Sequence, residues 1–147
     1  MRVFSISLLA SMPLATSSHV LKRELTETVS INGLTVHKTV ASGTTIQSVS
    51  FRLSGDAATD LPCEVDNPQF PPTKLSACAG SPYSFGLFPV NADDSEFRLG
   101  IRREVGGEFV ELVGAGNVPV ACSAGDEGSS DYVCNQTGTT TIFISSN

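Results

Sequence analysis

Residues 46–53 read IQSVSFRL, and this stretch decides the fold class. From Val49 to Leu53 an apolar residue stands at every second position, with polar or charged residues between. Side chains of a strand point alternately to its two faces, so the pattern predicts a strand with one face on a core and the other in water. Residues 96–102, EFRLGIR, repeat the same alternation. Two such segments in one chain indicate a sheet protein.

Strands of the same kind recur through the rest of the chain. Tyr83–Leu87 alternates in polarity, and the final run Thr139–Ser145 is mostly β-branched, which favours a pleated backbone. No window shows the periodicity of an amphipathic helix, and 13 glycines and 8 prolines interrupt the sequence often. Short strands separated by turns predict an all-β domain, a compact antiparallel β-barrel or sandwich with two local disulfides.

The segment Thr28–Lys38 has two interpretations. Asn32-Gly33 lies inside it and is a strong signal for a tight hairpin turn. The alternative is one long strand with a bulge at Gly33. The residues alone leave both open.

The segment after the second alternating strand is clearer. Glu104–Glu108 predicts a hairpin, because its two central glycines accept the positive φ that a tight turn requires. Phe109–Val113 then predicts a strand. The following residues 114–117, GAGN, predict a break at its end.

The N-terminus predicts a targeting segment. Arg2, a short apolar run and small residues up to Ser17 are typical of a signal peptide, which we assign to residues 1–17. Lys22-Arg23 is a candidate processing site, so residues 18–23 form a candidate pro-segment and residues 24–147 one domain. The apolar run is far shorter than the ~20 residues that span a bilayer, so no membrane role is expected.

The four cysteines indicate a disulfide framework, because their number is even and the chain has a secretory leader. Three pairings are open, and the short separations favour Cys63 with Cys78 and Cys122 with Cys134. A metal site is not expected, because the sequence has no C-x-x-C spacing and processing leaves His37 as the only histidine.

Charge excludes further classes of partner. The net charge is −6, and removal of the three basic residues of the leader, which contains no acid, takes it to −9. Such a surface repels phosphate backbones, so no nucleic-acid partner is expected.

The sequence contains no recognisable enzyme active site. The sequence has no G-x-S-x-G motif, so it offers no serine nucleophile for which His37 could act as the base. Phosphate-binding and dinucleotide-binding loops are also absent. No catalytic residue and no cofactor are therefore expected. Asp93, Asp94 and Glu96 form the densest acidic group, and we interpret them as ordinary turn residues. Asn135 begins an N-x-T sequon and is the predicted glycosylation site.

Several stretches resemble one family of secreted fungal proteins. They are SVSFRLSG, LSAC at Cys78, YSFGLF, EFRLGIRREV, the segment CSAGDEGSSDYVC that ends at Cys134, and TTTIFI. Together they resemble the Alternaria major-allergen-like family over roughly Thr28 to Ile144, nearly the whole of the expected mature chain.

The resemblance implies a β-barrel with bridges Cys63–Cys78 and Cys122–Cys134, and Thr28–Lys38 as one long strand. The founding member of the family dimerises through an additional cysteine near its mature N-terminus. This sequence has no cysteine before Cys63, so no disulfide-linked dimer is expected.

The resemblance also carries an expectation of function. Family members are allergens, elicitors of plant defence, or effectors that bind host extracellular defence proteins of the thaumatin-like class. A non-enzymatic binding protein is therefore expected, with its surface on exposed loops such as Asp66–Pro82 or Gly125–Asp131. The alternative is a carrier of small phenolic ligands, with Phe85, Phe97 and Phe109 lining its cavity.

Overall fold

The computed structural model describes residues 24–90, 96–106 and 110–146. Within these ranges the chain forms antiparallel strands and no helix, which confirms the predicted all-β class. The strands are β1 (Thr26–Thr39), β2 (Thr45–Gly55), β3 (Ala58–Asp66), β4 (Ser76–Ala77), β5 (Tyr83–Pro89), β6 (Glu96–Val105), β7 (Val110–Ala124), β8 (Asp131–Gln136) and β9 (Thr140–Ser145).

All nine strands belong to one sheet. Its path runs β3-β2-β1-β8-β7-β6-β5-β4, and β9 pairs with both β1 and β7. Cys63 on β3 is bonded to Cys78, which follows β4, so a disulfide joins the two strands at the ends of the path. The sheet is thus closed on itself covalently where the described strands carry no hydrogen-bond ladder.

The core lies between the two halves of this folded sheet. The apolar residues of both alternating segments are buried, as their pattern predicts, with Phe51 at 3% and Leu99 at 0% exposure. The ring of Phe51 on β2 meets the ring of Phe85 on β5 edge-on, with 4.9 Å between centroids. Two strands far apart on the path therefore face each other across one core.

The segment Thr28–Lys38 belongs to a single long strand, β1, and the hairpin interpretation of Asn32-Gly33 is wrong. Gly33 has φ 65°, and the register with β2 shifts between Asn32 and Thr35, which is the signature of a β-bulge. Before the bulge β1 pairs with β9, and after it β1 pairs with β8.

The side chain of Gln136 bridges the discontinuity at this bulge. Its Oε1 accepts a hydrogen bond from the amide of Leu34 at 3.0 Å, and its Nε2 donates one to the carbonyl of Ile31 at 2.9 Å. The amide of one side chain therefore replaces ladder bonds that the bulge and the end of β8 leave unmade.

We expect Gln136→Ala to lower the free energy of unfolding by about 2–3 kcal/mol, because two buried backbone groups lose their partners. Urea denaturation measures this loss. Gln47→Ala, at a half-buried position on β2, is the control and should change stability by less than about 1 kcal/mol. An equal loss in both variants would show that the hydrogen bonds from Gln136 to the backbone do not contribute to the free energy of unfolding.

The predicted break at residues 114–117 is wrong, because β7 continues through them to Ala124. The small residues serve close packing instead. A Cβ atom on Gly114 would overlap the carbonyl oxygen of Phe143, and one on Gly116 would lie 3.0 Å from the side chain of Ile142. The glycines therefore let β9 lie close against β7 without ending the strand.

The hairpin after β6 agrees with the sequence as far as it is described. Val105 pairs with Val110 across the turn, and Gly106 has φ 64°. Residues 1–23, with the signal peptide and pro-segment, lie outside the described residues, as do Asp93, Asp94 and Phe109. In the part of the chain that the structure describes, no helix has the length and apolarity needed to cross a membrane.

Candidate binding surface

Five strand termini meet at one end of the sheet, which we call the loop end. Here β1, β3 and β7 finish, while β2 and β8 begin. In the register, His37 is opposite Ser48, and Ser48 is opposite Asp66, so His37 and Asp66 lie two strand spacings apart, about 10 Å. The loop after β3 and the loop before β8 therefore leave the same end of the sheet, with β2 and β1 between them.

The loop segment after β3 spans residues 67–82, contains the two-residue strand β4 and is rich in proline. The amide of Asn67 donates to the carbonyl of Gln47 at 2.7 Å, and the Cys63–Cys78 bridge anchors the segment just after β4. The loop borders an open groove of about 500 Å³. The residues that line the groove are Pro68, Gln69, Lys74, Leu75, Ser76 and Ala77.

The loop before β8 spans residues 125–130 and is fixed by Asp131. The amide of Gly125 donates to the carbonyl of Asp131 at 2.8 Å, and the amide of Glu127 donates to its carboxylate at 3.1 Å. The Cys122–Cys134 bridge joins directly opposed residues of β7 and β8 just beneath the loop. Asp126 and Glu127 remain exposed, so the loop presents negative charge to solvent.

His37 lies on the outer face of β1 at this end. Its Nε2 donates a hydrogen bond of 2.5 Å to the carboxylate of Asp131, which is only 1% exposed. The two residues are 94 positions apart in the chain, and only the pairing of β1 with β8 brings them together. No local motif could therefore have indicated this pair.

A buried polar network occupies the opposite end of the sheet. The carboxylate of Glu27 accepts hydrogen bonds from Tyr83 Oη at 2.5 Å, from Arg103 Nη1 at 2.7 Å and from the amide of Asp56 at 2.7 Å. It joins β1, β5, β6 and the β2–β3 turn, and Glu27 is 3% exposed. This Glu27 network is structural, because the Glu27 carboxylate and the Tyr83 phenol at its centre are enclosed rather than presented to solvent.

The network moves the pKa values of its members. Burial alone raises the pKa of Glu27, but hydrogen bonds from Tyr83, Arg103 and the Asp56 amide, with the charge of Arg103, outweigh it and hold the pKa below its usual range. Burial and the bond to Glu27 raise the pKa of Tyr83 to about 12. Glu27 is thus held as a carboxylate and Tyr83 as a phenol.

Two of the residues expected to line a ligand cavity belong to the packed core. Phe85 is 1% exposed against Phe51, and Phe97 is 3% exposed, 6.2 Å from the ring of Phe70. The interior space that a carrier would need is filled at these positions. An open groove beside Lys74 is one place on the described surface where a small ligand could lie.

Asn135 lies exposed on the outer face of β8, where its Oδ1 accepts a hydrogen bond from Thr35 at 3.0 Å. Its glycosylation stays a prediction. Glu96 is the first residue of strand β6 and not a turn residue, so the turn interpretation is wrong for this acid; it accepts a hydrogen bond from Asn117 at 3.3 Å across to β7.

Comparison with known proteins places these features in a family. Residues 31–134 match the family model of Alternaria alternata allergen 1. The chain is 39% identical over 102 residues to Effector protein PevD1 of Verticillium dahliae, across 69% of this chain and 62% of that protein. The chain thus spans less than two thirds of this curated relative.

The fold agrees with solved structures of the same group. A crystal structure of the Alternaria alternata allergen Alt a 1 superposes with a TM-score of 0.64 at 20% identity, over 81% of this chain and 88% of that one. A second Alt a 1 structure gives a TM-score of 0.62, over 82% and 94%. The matches support an effector- or allergen-like protein, and the disulfides are consistent with an extracellular location. The chain belongs to the Alternaria alternata allergen 1 family.

Proposed function

We propose that this protein is a secreted effector that acts by binding, without catalysis, and that its binding surface is the loop end. The observation that supports the proposal most directly is the pair of disulfide-anchored loops that leave the same end of the sheet. Rigidly mounted loops lose little conformational entropy on binding, which favours their use in recognition.

The charge of the loop end indicates the kind of partner. Asp66, Asp126 and Glu127 are exposed there, on a chain whose net charge is −6. Complementary potentials speed association and discourage wrong partners. The partner proposed from family resemblance is a host extracellular defence protein of the thaumatin-like class, and the acidic loops favour a basic member of that class.

A charge-matched pair of variants tests the location of the surface. The first carries Asp66→Asn, Asp126→Asn and Glu127→Gln at the loop end. The second carries three acid-to-amide changes at the opposite end, at exposed positions on β3, β6 and β7. Those control substitutions are Asp60→Asn, Glu104→Gln and Glu111→Gln.

We expect the loop-end triple variant to bind a basic thaumatin-like protein at least about tenfold more weakly by surface plasmon resonance, through slower association above all. The control triple variant should stay within about twofold, because exposed charges farther than a Debye length are largely screened. Equal weakening would mean that only net charge matters. No weakening in either variant would place the binding surface elsewhere.

A further inference from the structure

A second kind of site lies within the loop end. The ligand atoms of His37, Asp131 and Glu127 all lie within 4.8 Å of one another. His37 comes from β1, Asp131 begins β8, and Glu127 belongs to the loop between β7 and β8. An imidazole and two carboxylates converging in this way are a common donor set for a divalent transition metal.

The carboxylate of Asp131 is held in a fixed orientation. It is 1% exposed, one oxygen accepts from His37, and the other accepts from the backbone amide of Glu127 at 3.1 Å. Gly125 passes directly over it, and a Cβ atom there would overlap the carboxylate. The loop is therefore shaped around this side chain, and the backbone amide orients it as the outer partners of metal ligands do.

The other two ligands have freedom to adjust. The side chain of His37 is 28% exposed, and Glu127 lies on the solvent side of the loop. Zinc binds nitrogen and carboxylate oxygen at about 2.0–2.2 Å, so a tetrahedral ion needs about 3.3 Å between two ligand atoms. The present 2.5 Å between His37 Nε2 and Asp131 Oδ1 has to open by less than 1 Å, which a partly exposed imidazole can accommodate.

We propose that His37, Asp131 and Glu127 form a zinc-binding site at the loop end. The ion takes the place of the Nε2 proton between His37 and Asp131, and the neutral imidazole then carries its proton on Nδ1. Glu127 supplies the third ligand and water the fourth. Magnesium and calcium are disfavoured, because both prefer all-oxygen coordination.

Titration calorimetry of the secreted, oxidised chain with zinc chloride tests the proposal. We expect one zinc ion per chain. His37→Gln and Glu127→Gln should each weaken binding by at least about tenfold, because each removes a ligand atom of a three-ligand site. The ring resonances of His37, identified by their loss in His37→Gln, should shift on addition of zinc.

Asp126→Asn is the matched control. It lies beside Glu127 in the same loop, is exposed, and changes the charge by the same amount. The proposed site predicts that Asp126→Asn changes the affinity for zinc by no more than about twofold, because a single exposed charge contributes little to binding. The proposal is overturned if no zinc binds, if Asp126→Asn weakens binding as much as Glu127→Gln, or if the ring resonances of His37 stay in place. Circular dichroism shows whether each variant keeps the sheet.

Discussion

Replacing Glu27 with alanine is expected to lower the free energy of unfolding by about 3–5 kcal/mol, the usual cost of removing one partner from a buried ion pair. The substitution leaves three donors without their acceptor: Tyr83 Oη, Arg103 Nη1 and the amide of Asp56. The guanidinium of Arg103 is affected most, because its Nε already lacks a hydrogen-bond partner among the described residues. The loss is a large share of the 5–15 kcal/mol typical of a small domain.

Urea denaturation at neutral pH measures this loss, and Thr28→Ala at an exposed neighbouring position is the control. Thr28→Ala should change stability by less than about 1 kcal/mol. If Glu27→Ala also lowers the free energy of unfolding by less than about 1 kcal/mol, water replaces the hydrogen bonds of the Glu27 network at no cost in stability.

The same network gives the protein a defined pH dependence. The pKa of Glu27 is lowered on folding, so its contribution is present above the unfolded value of about 4.3 and is lost as pH falls through the folded pKa. The difference in stability between the wild type and Glu27→Ala should therefore shrink in acid. The pKa of Tyr83 is raised to about 12, so its contribution is full below the unfolded value and declines as pH rises toward 12.

Removal of the Cys63–Cys78 bridge is the second large effect that we expect. The double variant Cys63→Ala/Cys78→Ala should lose at least about 3 kcal/mol, the chain-entropy value for a loop of this size. The bridge closes 15 residues and also joins the strands at the two ends of the sheet path. Its loss should therefore let residues 67–82 separate from β3, in addition to raising the conformational entropy of the unfolded chain.

The other disulfide provides the matched comparison. Cys122–Cys134 closes 12 residues, so the entropic term is nearly the same, but β7 and β8 stay hydrogen-bonded without it. We expect a smaller loss in Cys122→Ala/Cys134→Ala, measured by urea denaturation. Native-state hydrogen exchange should show faster exchange around residues 67–82 only in the first variant. Equal losses and equal exchange would mean that both bridges act through the unfolded chain alone.

The sequence predicts the elements whose cause is local. Alternation identified the buried faces of β2 and β6, because burial on one face of a strand follows directly from side-chain direction. It did not identify β3, where Pro62 interrupts an ordinary strand pattern. The position of β3 explains why it tolerates Pro62. It lies at an end of the sheet path, so one of its edges has no ladder hydrogen bonds and needs no backbone donor.

The features that sequence reasoning missed are all long-range. Residues 114–117 look like a turn, and only the approach of β9 reveals why small residues are needed inside β7. The two polar contacts described above are long-range as well. His37 meets Asp131 and Glu27 meets Arg103 only through strand pairing, at separations of 94 and 76 residues.

The ends of the sheet path also bear on how this molecule behaves when it is concentrated. An uncovered strand edge is a template for intermolecular pairing and fibril growth. One terminal strand here, β3, carries Pro62 and exposed acids, and the other, β4, is two residues long. Neither offers the long, flat, apolar edge that recruits further copies, so the architecture that mounts the two loops also disfavours edge-to-edge strand pairing between copies.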